Sequence, residues 1–150
     1  VAQPLLGRRL IDHGGFDLKV QLVEHLQTKG FIVHDVGCHD TTSVDYPDIA
    51  ALAGKATLDE SNALQRGIVV CGSGVGISIA ANKVPGVRCA LLHDHYGAVM
   101  CRKHNNANMI ALGGRTTGIE IAKEIVDAFL ATEFEGGRHD RRVGKIMSIC

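Results

Sequence analysis

Three groups of residues in this chain could do chemistry, and the first is a thiol set against a glycine-rich turn. Cys71 closes the apolar run Gly67–Cys71. Gly72, Ser73, Gly74, Val75 and Gly76 follow at once, ahead of a helix-like stretch from Ile77 to Lys83. Glycines let the backbone pass close to a ligand, and the first helical amides point at whatever sits there. Such a turn favours negative charge, and a thiolate over a thiol. One spot therefore offers a base or nucleophile beside an anion hole. The plainer alternative is a small core cysteine at an ordinary strand-to-helix connection. The turn is not a Walker A loop, because no Gly-Lys-Ser/Thr follows, and a full G-x-G-x-x-G fingerprint is missing.

The second group is Arg138 and Arg142, four apart after Gly136 and Gly137. On a helix they share one face. That face is either solvated and basic, or a phosphate clamp built from two planar forks of donors. The third group is His104-Asn105, at the far end of a helix that runs back antiparallel to the strands. Its end falls on the sheet edge opposite Cys71 of the same chain. His104 is then either a surface residue or part of a site on another subunit of a symmetric oligomer. Cys89, His93, His95, Cys101 and His104 look like a metal set at first sight. Zinc sites usually pair their ligands closely, whereas here a strand and a helix would spread them, so the reading is no metal. Cys38, Cys89, Cys101 and Cys150 read as structural.

Alternating elements must position these groups. Leu10-Ile11 is a weak first strand. Phe16–Lys29 reads as a helix, with Leu18, Leu22 and Leu26 four apart and Gly30 as its stop. Phe31–Val36 is the second strand, and Pro47 can open a helix that continues to about Leu58. The third strand ends at Cys71, and its helix covers about Val75–Lys83. Cys89–Leu92 is the fourth strand, with a helix over about Tyr96–Lys103. Asn108–Leu112 is the fifth strand, Gly118–Ala131 a long amphipathic helix, and Arg138–Ile149 a last helix. This order predicts an α/β protein: a single Rossmann-like, doubly wound domain over residues 1–150, with a five-stranded parallel sheet and a C-terminal helix. Ligands of such folds bind beyond the carboxyl ends of the strands. Asp12-His13, Asp45-Tyr46, the Cys71 turn, His93-Asp94-His95 and Gly113-Gly114-Arg115 all follow strands, so they gather on one edge.

Composition narrows the classes. The chain has 150 residues, 45% hydrophobic and 21% charged, as expected of one soluble domain with a real core. Lys+Arg and Asp+Glu balance at 16 each, so no global basic field attracts nucleic acid. No apolar run approaches the roughly 20 residues of a membrane helix. No signal-peptide pattern is visible, which makes the cytoplasm the expectation. Five cysteines without a C-x-x-C pair suit neither a disulfide scaffold nor a dithiol redox motif.

Several stretches together resemble the type B ribose-5-phosphate isomerases, a family that also holds the galactose-6-phosphate isomerase subunits. They are Asp12–Phe16, Val44–Asp48, Cys71–Lys83, His104-Asn105, Gly114-Arg115, and Phe134–His139 with Arg142. The resemblance runs from about residue 11 to 147. It implies interconversion of an aldose phosphate and a ketose phosphate, ribose 5-phosphate and ribulose 5-phosphate, without a metal or other cofactor. It implies Cys71 as the base, as in the cysteine subgroup; the other subgroup carries a glutamate where this chain has Ile77. It also implies His104 in ring opening, the Asp12-His13 pair in the site, phosphate binding by Arg138 and Arg142, and substrate contacts at Asn105 and Arg115. Dimers or larger homo-oligomers with sites shared between subunits are implied too. On this reading Ser73 bonds the C1 or C2 oxygen, Asp12 assists His104, and the amides of Gly72, Ser73, Gly74, Val75 and Gly76 meet the developing charge. His13 helps hold the phosphate, and Asp45 and Tyr46 line the pocket. The same chemistry on galactose 6-phosphate or allose 6-phosphate is the near alternative. A non-catalytic phosphate-ligand module on the same fold is the distant one. One departure stands out: Gly7, Arg8 and Arg9 occupy positions where the family carries an apolar first strand.

Overall fold

The computed structural model describes residues 6–11, 15–37, 44–61 and 66–149, the first segment as backbone. The strands are β1 (Leu6–Ile11), β2 (Ile32–Asp35), β3 (Arg66–Cys71), β4 (Cys89–Leu91) and β5 (Met109–Gly113). Between and after them run α1 (Phe16–Thr28), α2 (Tyr46–Leu58), α3 (Val75–Ala81), α4 (His95–Lys103), α5 (Ile119–Ala131) and α6 (Arg138–Met147). Every strand pairing is parallel, in the order β2-β1-β3-β5-β4.

The α/β class with a parallel sheet is thus as expected, but the first strand is not. Leu10-Ile11 reads as a weak stub, whereas β1 runs from Leu6 and is hydrogen-bonded on both sides. Arg8 pairs with His34 of β2 and Gly67 of β3, and Arg9 with Asp35 and Ile68. Pairing on two flanks is non-local, and it overrides the poor local pattern of Gly7, Arg8 and Arg9.

β3 and β5 form the buried centre. Alternate residues of a strand face opposite sides. Ile68 and Val70 of β3, with Ile110 and Leu112 of β5, meet Leu18, Leu22 and Leu26 of α1, Ala98 and Cys101 of α4, and Phe129 of α5. On the other face Val69, Cys71, Met109 and Ala111 meet Ile49, Ala50 and Ala53 of α2 and Ile77 and Ala81 of α3. The near-continuous apolar reading of β3 and β5 is what burial on both faces requires. Cys71 thus ends a rigid strand whose side chains are clamped from above and below.

Candidate active site

The turn after β3 is tightly determined. Gly74 caps α3 with φ +78°, a left-handed conformation open to glycine at little cost. A Cβ there would stand 2.7 Å from Leu91 Cδ1 and 2.9 Å from the backbone carbon of Leu112. The β3–β5 ladder continues past the strands, with the Gly114 N–H donating to the Cys71 carbonyl at 2.7 Å and the Arg115 N–H to the Gly72 carbonyl at 3.0 Å. These bonds hold the turn from one side and carry Arg115 to it.

Cys71 is 5% exposed, and the Gly74 N–H donates to its Sγ at 3.1 Å. A backbone dipole is thus aimed at the sulfur, where it would stabilise charge. The Val75 N–H donates to Ser73 Oγ at 3.3 Å. Ser73 is exposed, and with a lone pair so engaged its hydroxyl proton can be offered to a ligand oxygen. Of the turn amides expected to face a ligand, those of Gly74 and Val75 therefore serve Cys71 and Ser73. Tyr46, at the start of α2, lies over the first turn of α3: a Cβ at Gly76 would meet its hydroxyl oxygen at 2.7 Å. The exposed Arg115 guanidinium lies over Gly72, whose Cβ would stand 3.4 Å from Nη1. Asp45 is exposed at the N-cap of α2. Cys71, Ser73, Tyr46 and Arg115 therefore converge. Asp12 and His13 lie outside the described residues, and so do Cys38 and Cys150.

Two other polar groups on this edge have partners within the chain. Asp94 Oδ1 caps α4 by accepting from the Gly97 N–H at 2.6 Å, and His95 faces Glu124 at 3.3 Å. Burial pushes the thiol of half-buried Cys89 up to about 12 and that of buried Cys101 up to about 11, which suits unreactive thiols.

His104 belongs to a second constellation. Gly67 pairs with Met109 and Cys71 with Gly113, so the residues before Met109 lie beyond the opposite edge of the sheet. Four strand steps, about 13 Å, separate the two edges. His104 is the C-cap of α4, and its ring stacks on that of His139 with centroids 4.3 Å apart and planes 14° from parallel. His139, on α6, is 4% exposed, and its Nε2 has no hydrogen-bond partner among the described residues. Burial holds its pKa below the usual histidine value, helped by His104, Arg138 and Arg142 and opposed by Glu135. Arg138 and Arg142 are exposed beside it, so positive charge concentrates here. His139 was missed in the sequence, hidden inside a motif read for its arginines.

His104, Glu135 and His139 bring their ligand atoms within 4.8 Å of one another. Zinc at its usual bond lengths needs donors about 3.4 Å apart with convergent lone pairs. Nearly parallel stacked rings present lone pairs side by side, and two neighbouring guanidiniums repel a cation. As they stand, these side chains fit an anion better than a metal.

The fold is that of an α/β protein with a parallel sheet, a class in which ligands bind beyond the carboxyl ends of the strands. The chain belongs to the ribose/galactose isomerase family, whose profile matches residues 10–146. It is 44% identical over 138 residues to ribose-5-phosphate isomerase B of Escherichia coli, covering 92% of this chain and 91% of that one. To the D-erythrulose-4-phosphate isomerase of Pectobacterium atrosepticum it is 47% identical over 137 residues, 90% of this chain and 88% of the other. The crystal structure of the Mycoplasma genitalium ribose-5-phosphate isomerase B with bound ribulose-5-phosphate superposes with a TM-score of 0.90. That pair shares 41% identity over 97% of this chain and 96% of the other.

Proposed function

We propose that the protein interconverts ribose 5-phosphate and ribulose 5-phosphate through a cis-enediolate, with the Cys71 thiolate as base. The observation that carries this is the Gly74 N–H aimed at a thiol that ends a buried strand, in a chain of the isomerase family. His104 assists ring opening, with Asp12 in support. Cys71 removes the C2 proton, and the electron pair of that bond forms the C1–C2 double bond of the enediolate. A proton passes from the C2 to the C1 oxygen with Ser73 as relay. Return of the proton from sulfur to C1 leaves the carbonyl at C2. Fixed amides of Gly72, Ser73 and Gly76 oppose the developing oxyanion, and one such donor can be worth about 3 kcal/mol. Arg138, Arg142 and His13 hold the phosphate, while Asn105, Arg115, Asp45 and Tyr46 orient the sugar.

The two constellations lie on opposite sheet edges, so one chain cannot close both on one sugar. We infer a homodimer or larger homo-oligomer in which the Cys71 edge of one protomer meets the His104 edge of its partner. A thiol base needs a reducing compartment, which favours the cytoplasm. No helix among the described residues is long and apolar enough to cross a membrane.

A second reading keeps the mechanism and changes the sugar. The 47% identity to an erythrulose-4-phosphate isomerase favours a four-carbon substrate as the alternative. Proton NMR with ribose 5-phosphate, D-erythrulose 4-phosphate, galactose 6-phosphate and allose 6-phosphate separates these. The first reading expects the highest kcat/KM on ribose 5-phosphate. A preference for another sugar would move the substrate, and turnover of none would leave a binding role.

A further inference from the structure

We propose that Arg102 is a positioning residue for this reaction: its buried guanidinium fork ties the loop bearing His104 to the segment that leads into α6. This rests on the isomerase reading above.

Arg102 is 2% exposed, on the inward face of α4 with Ala98 and Cys101. Its Nη1 donates to Asn106 Oδ1 at 2.9 Å and to the Ala107 carbonyl at 2.6 Å. Its own carbonyl accepts from the Asn106 N–H at 3.1 Å. The turn after His104 is thus gripped by the side chain and the backbone of one residue. Asn106 itself sits at φ +46°, a conformation it tolerates better than most residues. In the other direction Arg102 Nε donates to the Thr132 carbonyl at 3.1 Å, at the end of α5. From Thr132 the chain passes Glu135, whose N–H donates to the Lys103 carbonyl at 3.1 Å, and enters α6. α6 then delivers His139 to the face of His104 and carries Arg138 and Arg142. One planar fork therefore sets the spacing between the ring-opening histidine and the phosphate-binding helix.

Packing alone does not account for this residue. The guanidinium lies 6.0 Å from the Phe129 centroid, with Arg66 on the same ring at 5.9 Å. Burial, and then Arg66, lower the Arg102 pKa to about 10, so the cation is held against a desolvation cost that leucine or methionine would avoid. What an apolar residue cannot supply is three donors in a fixed plane, and lysine cannot supply that geometry either.

The test uses Arg102→Lys, which keeps the charge and loses the fork, and Asn106→Gly, which keeps the left-handed turn and loses the Oδ1 acceptor. Each is assayed on ribose 5-phosphate alone and combined with His104→Asn, and the histidine ring signals are followed by NMR. We expect each variant to fold, to lose about tenfold to a hundredfold in kcat, as displaced catalytic groups do, and to shift the His104 and His139 ring signals. In the His104→Asn background the further loss should shrink to less than about threefold, because both changes act through one group. An equal loss in both backgrounds, or unshifted ring signals with wild-type kcat, would overturn the proposal. Should Arg102→Lys not fold, Asn106→Gly decides alone. An inactive wild type would instead refute the isomerase reading; the ring signals then decide on the tether, which stands if they shift and falls if they do not.

Discussion

Replacing Gly74 with alanine should damage stability and turnover together. Gly74 sits at φ +78°, where an L side chain costs roughly 1–2 kcal/mol. The new methyl would also lie 2.9 Å from the Leu112 carbonyl carbon and 3.1 Å from the Gly113 nitrogen. Those are backbone atoms of the central strand β5 and cannot swing aside as a side-chain end can. Overpacking of this kind typically adds about 1–3 kcal/mol. The expected loss is therefore about 2–5 kcal/mol, or roughly 4–20 °C in melting temperature for a chain of this size. Because the displaced segment includes the N–H that donates to Cys71, kcat on ribose 5-phosphate should fall with it. Urea and thermal unfolding at one fixed protein concentration measure the first effect, and NMR turnover the second. Gly144→Ala is the control: that helical position meets nothing within 4 Å, so alanine there should stabilise by about 0.5–1 kcal/mol. If Gly74→Ala melted within a degree of wild type, the tight-turn reasoning would be refuted.

The remaining predictions concern the opposite edge, the core thiols and acid stability. Arg138→Gln and Arg142→Gln should each raise KM about tenfold to a hundredfold with a smaller change in kcat, the worth of a charge-assisted hydrogen bond; unchanged KM in both would remove the phosphate clamp. The folded-state pKa of His139 is lowered, so below about 6.5 the unfolded chain takes up a proton the folded one does not. Its contribution is full above that value and is lost as pH falls toward the lowered one, so the urea midpoint should drop less between pH 7.5 and 5.5 in His139→Gln than in wild type. Equal drops would contradict the buried neutral ring. With their thiols pushed up to about 12 and about 11, Cys89 and Cys101 should stay unlabelled by iodoacetamide at pH 7.5 in the folded protein, and rapid labelling by mass spectrometry would show them to be accessible thiolates.

Most elements were legible because their cues are local. The spacing of Leu18, Leu22 and Leu26 marks α1, and the run into Cys71 marks β3. β1 was legible only as its last two residues, Leu10-Ile11, because its arginines break the apolar pattern and only pairing with β2 and β3 defines its full length. The insertion of β5 between β3 and β4 is equally non-local. The separation of His104 from Cys71 followed from the direction of α4. The stack of His104 on His139 needed the path of residues 132–137, which no spacing reveals. Arg102 did leave a signal: Ala98, Cys101 and Arg102 fall at i, i+3 and i+4 on one helical face, so a cation stands where an apolar residue is the norm.

The role of Cys71 is tested most directly by Cys71→Ala, assayed by proton NMR of ribose 5-phosphate in D2O beside the wild type. Wild type should form ribulose 5-phosphate. The variant should retain its melting temperature and phosphosugar binding but lose about 10²–10⁴-fold or more in kcat, the usual worth of a positioned acid–base group. Turnover of the variant at the wild-type rate would contradict the thiolate mechanism outright.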